Sequence, residues 1–217
     1  MLWKSNGGGD FEQAPLGTHV ARCVRLIDIG TQEGEYGSKR QVVVSWELCD
    51  ELMTQGDFAG QPFLISKYFT QSLNEKSNLR KWLITWRGRD FTPEELEGFD
   101  AKNILGVPCL LSIIANEKSG KSMASGAMKL TKGHKAPAQI TPTVFFSLEP
   151  GEFDRSVFDG LSDYYRTMIE ASPEYQDLIK PKAKPVPAGP TDLDEWPAED
   201  GPELDFSEEE DDGNPDF

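Results

Sequence analysis

The chain has 217 residues, with 37 acidic and 22 basic side chains and a formal net charge of −15. With 37% hydrophobic and 10% aromatic residues it can bury the core of one or two domains, which excludes wholesale disorder. No apolar run of about 18 residues occurs, so no transmembrane helix is expected, and the opening Met1-Leu2-Trp3-Lys4-Ser5-Asn6-Gly7-Gly8-Gly9 lacks an apolar signal core, so secretion is not expected either.

Residues 1–14 read as a flexible lead-in. Residues 17–28 (GTHVARCVRLID) alternate and are in part β-branched, which predicts a first strand. A glycine-rich loop over residues 30–38 follows. In residues 40–48 Val42, Val44, Trp46 and Leu48 share one face of a second strand. Residues 61–69 make a third, with Phe63, Ile65, Lys67 and Phe69 on one side and Leu64, Ser66 and Tyr68 on the other.

The period then changes. Ser72-Leu73-Asn74-Glu75 fits a capping box, and Leu79, Trp82, Leu83 and Trp86 follow at helical spacing, up to a stop at Gly88. Thr92-Pro93-Glu94-Glu95 predicts a second helix start, with Pro at the first helical position. Residues 108–115 and 122–130 read as the fourth and fifth strands, and residues 144–148 as a short sixth. Residues 154–171 predict one helix packed through Phe158, Leu161, Tyr165 and Ile169, and Ser172-Pro173-Glu174 starts a last short one.

Three strands, a helix and two strands is the order of an oligonucleotide/oligosaccharide-binding (OB) barrel. The fold class expected is therefore mainly β with helical insertions (α+β). A five-stranded OB-type barrel over residues 15–148 carries a helix between its third and fourth strands. A helical extension over residues 149–180 comes next, then a Pro-rich linker at 181–202 and a disordered acidic tail at 203–217.

Charge is unevenly placed. Residues 1–145 have a net charge of +1, residues 146–180 of −5 and residues 181–217 of −11. The acidity of the whole chain thus describes its end and leaves room for a basic face on the body. Cations and aromatics interleave there: Arg22 and Arg25 on the first strand, Lys39, Arg40 and Trp46 on the second, and Lys67, Tyr68 and Phe69 closing the third. Lys118 and Lys121 sit in the loop between the last two strands, and Lys129 and Lys132 end the barrel. Single-stranded nucleic acid needs this combination, cations along its backbone and flat rings under its bases. In an OB barrel the face of strands two and three, flanked by the loops between strands one–two and four–five, forms the groove. Each residue also has a plainer use: Trp46, Trp82 and Trp86 as core, single lysines as solvated surface.

Chemistry of reaction is hard to place. Residues 115–122 (ANEKSGKS) approach a phosphate-loop pattern, but residues 122–130 do not form the helix whose N-terminus would hold a phosphate, so a basic hairpin loop is the expectation. His19 and His134 are isolated, and no carboxylates converge for metal chemistry. No catalytic residue, metal or cofactor is expected. Cys23, Cys49 and Cys109 are odd in number and lack metal-ligand spacing, which fits a reducing compartment.

The tail is acidic at Glu208, Glu209, Glu210, Asp211 and Asp212, and ends Asp216-Phe217 after Pro215. Trp196 and Phe206 also punctuate the acid. A solubilising tail needs no bulky apolar group at its last position, whereas a ring set among carboxylates suits a pocket with a basic rim.

A barrel, a helical extension and an acidic tail ending in Phe together resemble phage single-stranded DNA-binding proteins. The segment FTQSLNEKSNLRKW (69–82), Trp86-Arg87-Gly88-Arg89 and Ser172-Pro173-Glu174-Tyr175 resemble tailed-phage replication-module proteins. In the bacterial form of the tail the acids precede Pro-Phe; here Pro215 stands one place earlier. The resemblance implies a non-catalytic protein of DNA replication or recombination, acting in the cytoplasm, that of a host if phage-encoded. It also implies a tail that recruits polymerase, helicase or primase and covers the groove until DNA displaces it. Self-association is left open. Two other readings stand beside this one: a protein-interaction module or DNA mimic without affinity for single strands, and an ATP-dependent accessory factor using Lys121.

Overall fold

A computed structural model describes residues 12–35, 37–131, 133 and 135–180. The expected elements appear in the expected order. Strands β1 (Gly17–Gln32), β2 (Lys39–Leu52) and β3 (Pro62–Thr70) come first, then helices α1 (Asn78–Arg87) and α2 (Pro93–Glu97). Strands β4 (Pro108–Ala115), β5 (Ser122–Lys129) and β6 (Val144–Phe146) follow, and helices α3 (Arg155–Asp159), α4 (Asp163–Glu170) and α5 (Pro173–Ile179) end the described chain. The result is a mainly β, α+β architecture.

The hydrogen-bonded path runs β3-β2-β1-β4-β5, all antiparallel, with β6 parallel to β1. β4 pairs with β1 over Gly17 to Arg22, and β6 takes over that edge at Arg25 to Ile27. The expected closure is corrected here: no ladder joins β3 to β5 among the described residues, so the sheet is not a closed barrel. Lys67 Nζ instead crosses the seam to the carbonyl of Ala124, at 3.0 Å.

Helix α1 lies against this seam. Its cap corrects the sequence reading, because Ser77 rather than Ser72 receives the amide of Leu79 and the helix starts five residues late. Gly88, in the left-handed region at φ 71°, ends it as expected. Trp82, Leu83 and Trp86 are buried against Trp46 and Phe69, with ring centroids 5.4–5.7 Å apart. Such ring pairs add about 0.5–1.5 kcal/mol each to the area they bury. Trp46 is fully buried and belongs to this core, so it is not a platform for bases.

The outer face of the sheet carries a second core. Ile27, Ile29 and Val43 pack against Phe146, Phe158, Leu161 and Ile169 of the C-terminal segment. β1 and β2 are thus covered on both sides, which is why residues 42–44 are three valines in a row rather than an alternating pattern. The single helix expected over residues 154–171 is broken: Gly160 ends α3, and Ser162, extended at ψ 152°, begins α4. Ser172 caps α5 through the Tyr175 amide as expected.

Candidate nucleic-acid interface

A bulge in β1 decides which side of the sheet Arg25 serves. Ala21 and Cys23 face the inner core. The register then slips between Cys23 and Arg25, so that Leu26 faces inward and Ile27 and Ile29 outward. Arg25 therefore joins the outer face. There the pairings set out rows across three strands: Arg25, Ser45 and Ser66 in one, Ile27, Val43 and Tyr68 in the next, with Glu47 beside Leu64 in a third.

The C-terminal segment covers the β1 and β2 ends of these rows. Val43, Ser45 and Glu47 are buried. The Glu47 carboxylate accepts the amides of Ile140 (3.1 Å) and Thr141 (2.7 Å), holding the connection between β5 and β6 over β2. The expectation that the β2–β3 face as a whole forms an open groove is thereby corrected. What stays open is the β3 column, with Leu64, Ser66, Tyr68 and Thr70 exposed.

One end of this strip opens into a groove of about 780 Å³, whose walls include Arg25, Phe58, Leu64, Lys121, Ile140 and Thr141. Arg25 also lines a smaller cavity of about 280 Å³ beside Tyr165 of α4. Its guanidinium is half-buried and has no acceptor among the described residues, and its Nε is shut off from solvent. Every other arginine of the chain is engaged. Arg22 donates to the carbonyls of Gly106 (2.6 Å) and Pro137 (2.9 Å). Arg40 holds Asp28 and Glu149, Arg80 holds Asp90, Arg87 and Arg89 share Glu95, Arg155 holds Asp159 and Arg166 holds Asp163. A buried donor without a partner is costly, and the part of the guanidinium that faces solvent is the part open to an outside acceptor.

At the other end of the strip, the phenol of Tyr68 meets those of Tyr164 and Tyr165. Burial, and then these neighbouring phenols, push its pKa up.

The remaining expected contacts scatter. Arg22 and Arg40 are spent on the structural bonds above, so neither is free for a strand, which corrects their assignment. Phe69 is buried in the inner core, which corrects its assignment too. Lys67 points to the inner side, its ammonium 5.1 Å from the Trp82 ring centroid, and burial lowers its pKa. With Lys81 and Asn78 it borders a groove of about 400 Å³ at the β3–β5 seam. Lys39 is exposed at the start of β2, and Lys129 runs past Gly88 at the end of α1. Lys118 and Lys121 are exposed in the β4–β5 hairpin, where Asn116 Oδ1 accepts the amides of Lys118 (2.9 Å) and Ser119 (3.0 Å). A strand follows this loop, not a helix, so no stacked amides face a phosphate there. Lys132, His134 and the whole tail, including Glu208, Glu209, Glu210, Asp211, Asp212, Asp216 and Phe217, lie outside the described residues.

Of the expected residues, then, Arg25, Lys121 and Tyr68 share one strip. Sequence reasoning missed Phe58, Leu64 and Tyr164 as its neighbours. The doublet Tyr164-Tyr165 held a signal, since two adjacent helical residues cannot both enter one packing stripe.

A further cavity, of about 550 Å³, lies on the inner side among Leu26, Val42, Leu83 and Phe99. Asp28, Glu149 and Glu152 border it, a poor setting for a polyanion. Among the described residues no cluster of three or more His, Cys, Asp or Glu could hold a metal, and no helix is long and apolar enough to cross a membrane. No protein-family model matches the chain, and no curated protein matches it.

Proposed function

We propose that this chain is a non-catalytic single-stranded DNA-binding protein of phage-type replication or recombination. The strand lies along the open column of β3, with phosphates toward Arg25 and Lys121 and bases toward Tyr68 and Leu64. The observation that carries the reading is Arg25, the one arginine without an acceptor among the described residues, which lines a groove with exposed Phe58. A phosphodiester supplies an acceptor for the part of that guanidinium that faces solvent.

The strand order supports an OB-type ancestry. The path β3-β2-β1-β4-β5 with a helix after β3 is the order of a partly open OB barrel parted at its β3–β5 seam. In this reading the acidic stretch Glu208-Glu209-Glu210-Asp211-Asp212 recruits a replication protein with a basic pocket.

The test is an isotherm of the full chain with labelled oligothymidylate and with duplex DNA of equal length, at two salt concentrations. Preference for the single strand and a steep loss of affinity with salt are the expected results. No binding at low salt, or equal binding of the duplex, overturns the proposal. Exposed Phe58, Leu64 and Ile140 at the Lys121 end favour a second reading in that event, an apolar docking surface for a protein.

A further inference from the structure

We infer that helix α4 is one wall of the single-strand cleft and that Tyr164 is a stacking platform for a base. The inference rests on the single-strand reading above and adds to it an element that an OB barrel does not itself possess.

Tyr164 is 63% exposed, the most exposed aromatic among the described residues. It does not serve the core beneath it, because Phe158, Leu161, Tyr165 and Ile169 fill that role. Nor does it stand alone. It meets Tyr165 edge-to-face at 5.7 Å, and the hydroxyls of both lie near enough to that of Tyr68 to raise its pKa. Residues some 100 positions apart in the chain thus bring three phenol hydroxyls near one another on the outer face.

Charge selects the occupant. Tyr165 lines the same cavity as Arg25, which has no acceptor among the described residues, so one ring of the group and the cation border one space. Ser66 and Tyr68 point the same way two residues apart on β3, roughly 7 Å along the strand. A cation and a ring cluster at adjacent steps therefore match a chain that alternates phosphate and base. Two neighbouring acids are paired: Asp163 is held by Arg166 and Asp159 by Arg155. An acidic peptide would satisfy Arg25 but has no use for the rings, whereas a single-stranded nucleic acid uses both.

The experiment compares the full chain with Tyr164→Leu, Tyr164→Phe and Tyr164→Trp, with thermal unfolding as the folding control. Stacking on the ring predicts that Tyr164→Leu loses affinity for oligothymidylate by on the order of ten-fold. It predicts that Tyr164→Phe retains affinity, and that neither changes the salt dependence, since stacking releases no counterion. Tyr164→Trp adds an emission that the oligonucleotide quenches. If the wild-type chain binds and Tyr164→Leu binds equally well, the wall is overturned while the single-strand reading stands. If Tyr164→Phe is as weak as Tyr164→Leu, the hydroxyl anchors α4 and the ring is no platform. If the wild-type chain does not bind, the functional reading fails and the wall with it.

Discussion

Arg40 and Asp28 form a 2.5 Å ion pair that joins β2 to β1 and to the segment after β6. The Asp28 carboxylate is buried, and it also accepts the amides of Gly30 (3.0 Å) and Leu148 (3.2 Å). Arg40 reaches on to Glu149 at 2.7 Å. A cation that reads as a nucleic-acid contact in sequence is thus a structural bolt. Arg40→Ala strands a buried carboxylate and should cost about 3 kcal/mol of stability. Urea unfolding measures this. Binding of oligothymidylate by the molecules that remain folded should keep its salt dependence, because no phosphate contact is lost.

Arg25 should behave in the opposite way. Its guanidinium has no acceptor to lose among the described residues, so Arg25→Met should leave the melting temperature unchanged or raise it. Affinity for single-stranded DNA should fall, and the slope of log affinity against log salt should shrink by about 0.7, the value of one phosphate contact on a single strand. Isotherms at several salt concentrations decide this; a destabilised variant with an unchanged slope would contradict it.

Gly30 is the contact point between β1 and the last helix. It sits at φ 69°, and a Cβ there would lie 2.4 Å from Ser172 Cβ and 2.9 Å from Glu174 Oε2. Glu174 anchors the same spot by accepting the Thr31 amide (2.8 Å) and hydroxyl (2.6 Å). Gly30→Ala combines a left-handed backbone penalty with overpacking and should cost about 3 kcal/mol. Loosening of α5 from the sheet should appear as faster proteolysis within residues 150–180. With α4 a wall of the cleft, affinity for single strands should fall as well.

Acid should release the clasp at Glu95. The Arg89 guanidinium first, then the Thr92 amide and Arg87, hold its carboxyl at about 2, against an ordinary value of 4.5. A folded pKa below the unfolded one adds stability above the unfolded value and loses it as pH falls through the folded value. Wild type should therefore exceed Glu95→Gln in thermal stability at neutral pH, and the gap should close between pH 4.5 and about 2. A gap that persists below pH 2 would mean the carboxylate charge is not what holds α2 to the end of α1.

Much of the architecture was legible from local signals. The alternation of Phe63, Ile65, Lys67 and Phe69 against Leu64, Ser66 and Tyr68 places β3's faces as the structure has them, because strand parity is a local property. The helical spacing of Trp82, Leu83 and Trp86 likewise marks their buried side. The candidate site was far less legible. Arg22, Arg25 and Arg40 look alike in sequence, yet two are tied to oxygens from Gly106, Pro137, Asp28 and Glu149, at separations of 12 to 115 residues, and one is not.

The amino-acid order alone determined the succession of strands and helices, the caps at Thr92 and Ser172 and the concentration of acid at the chain's end. These depend on periodicity, on side-chain-to-backbone bonds a few residues apart and on charge content. Only the tertiary structure decided that, among the described residues, β3 and β5 meet without a ladder, that the C-terminal segment covers β1 and β2, and that Arg25 is left without an acceptor beside Tyr165. A single extra residue in β1 turns Arg25 to the outer face, and distant segments then choose which cations are consumed. Those outcomes follow from packing between parts of the chain far apart in sequence, which no local pattern encodes.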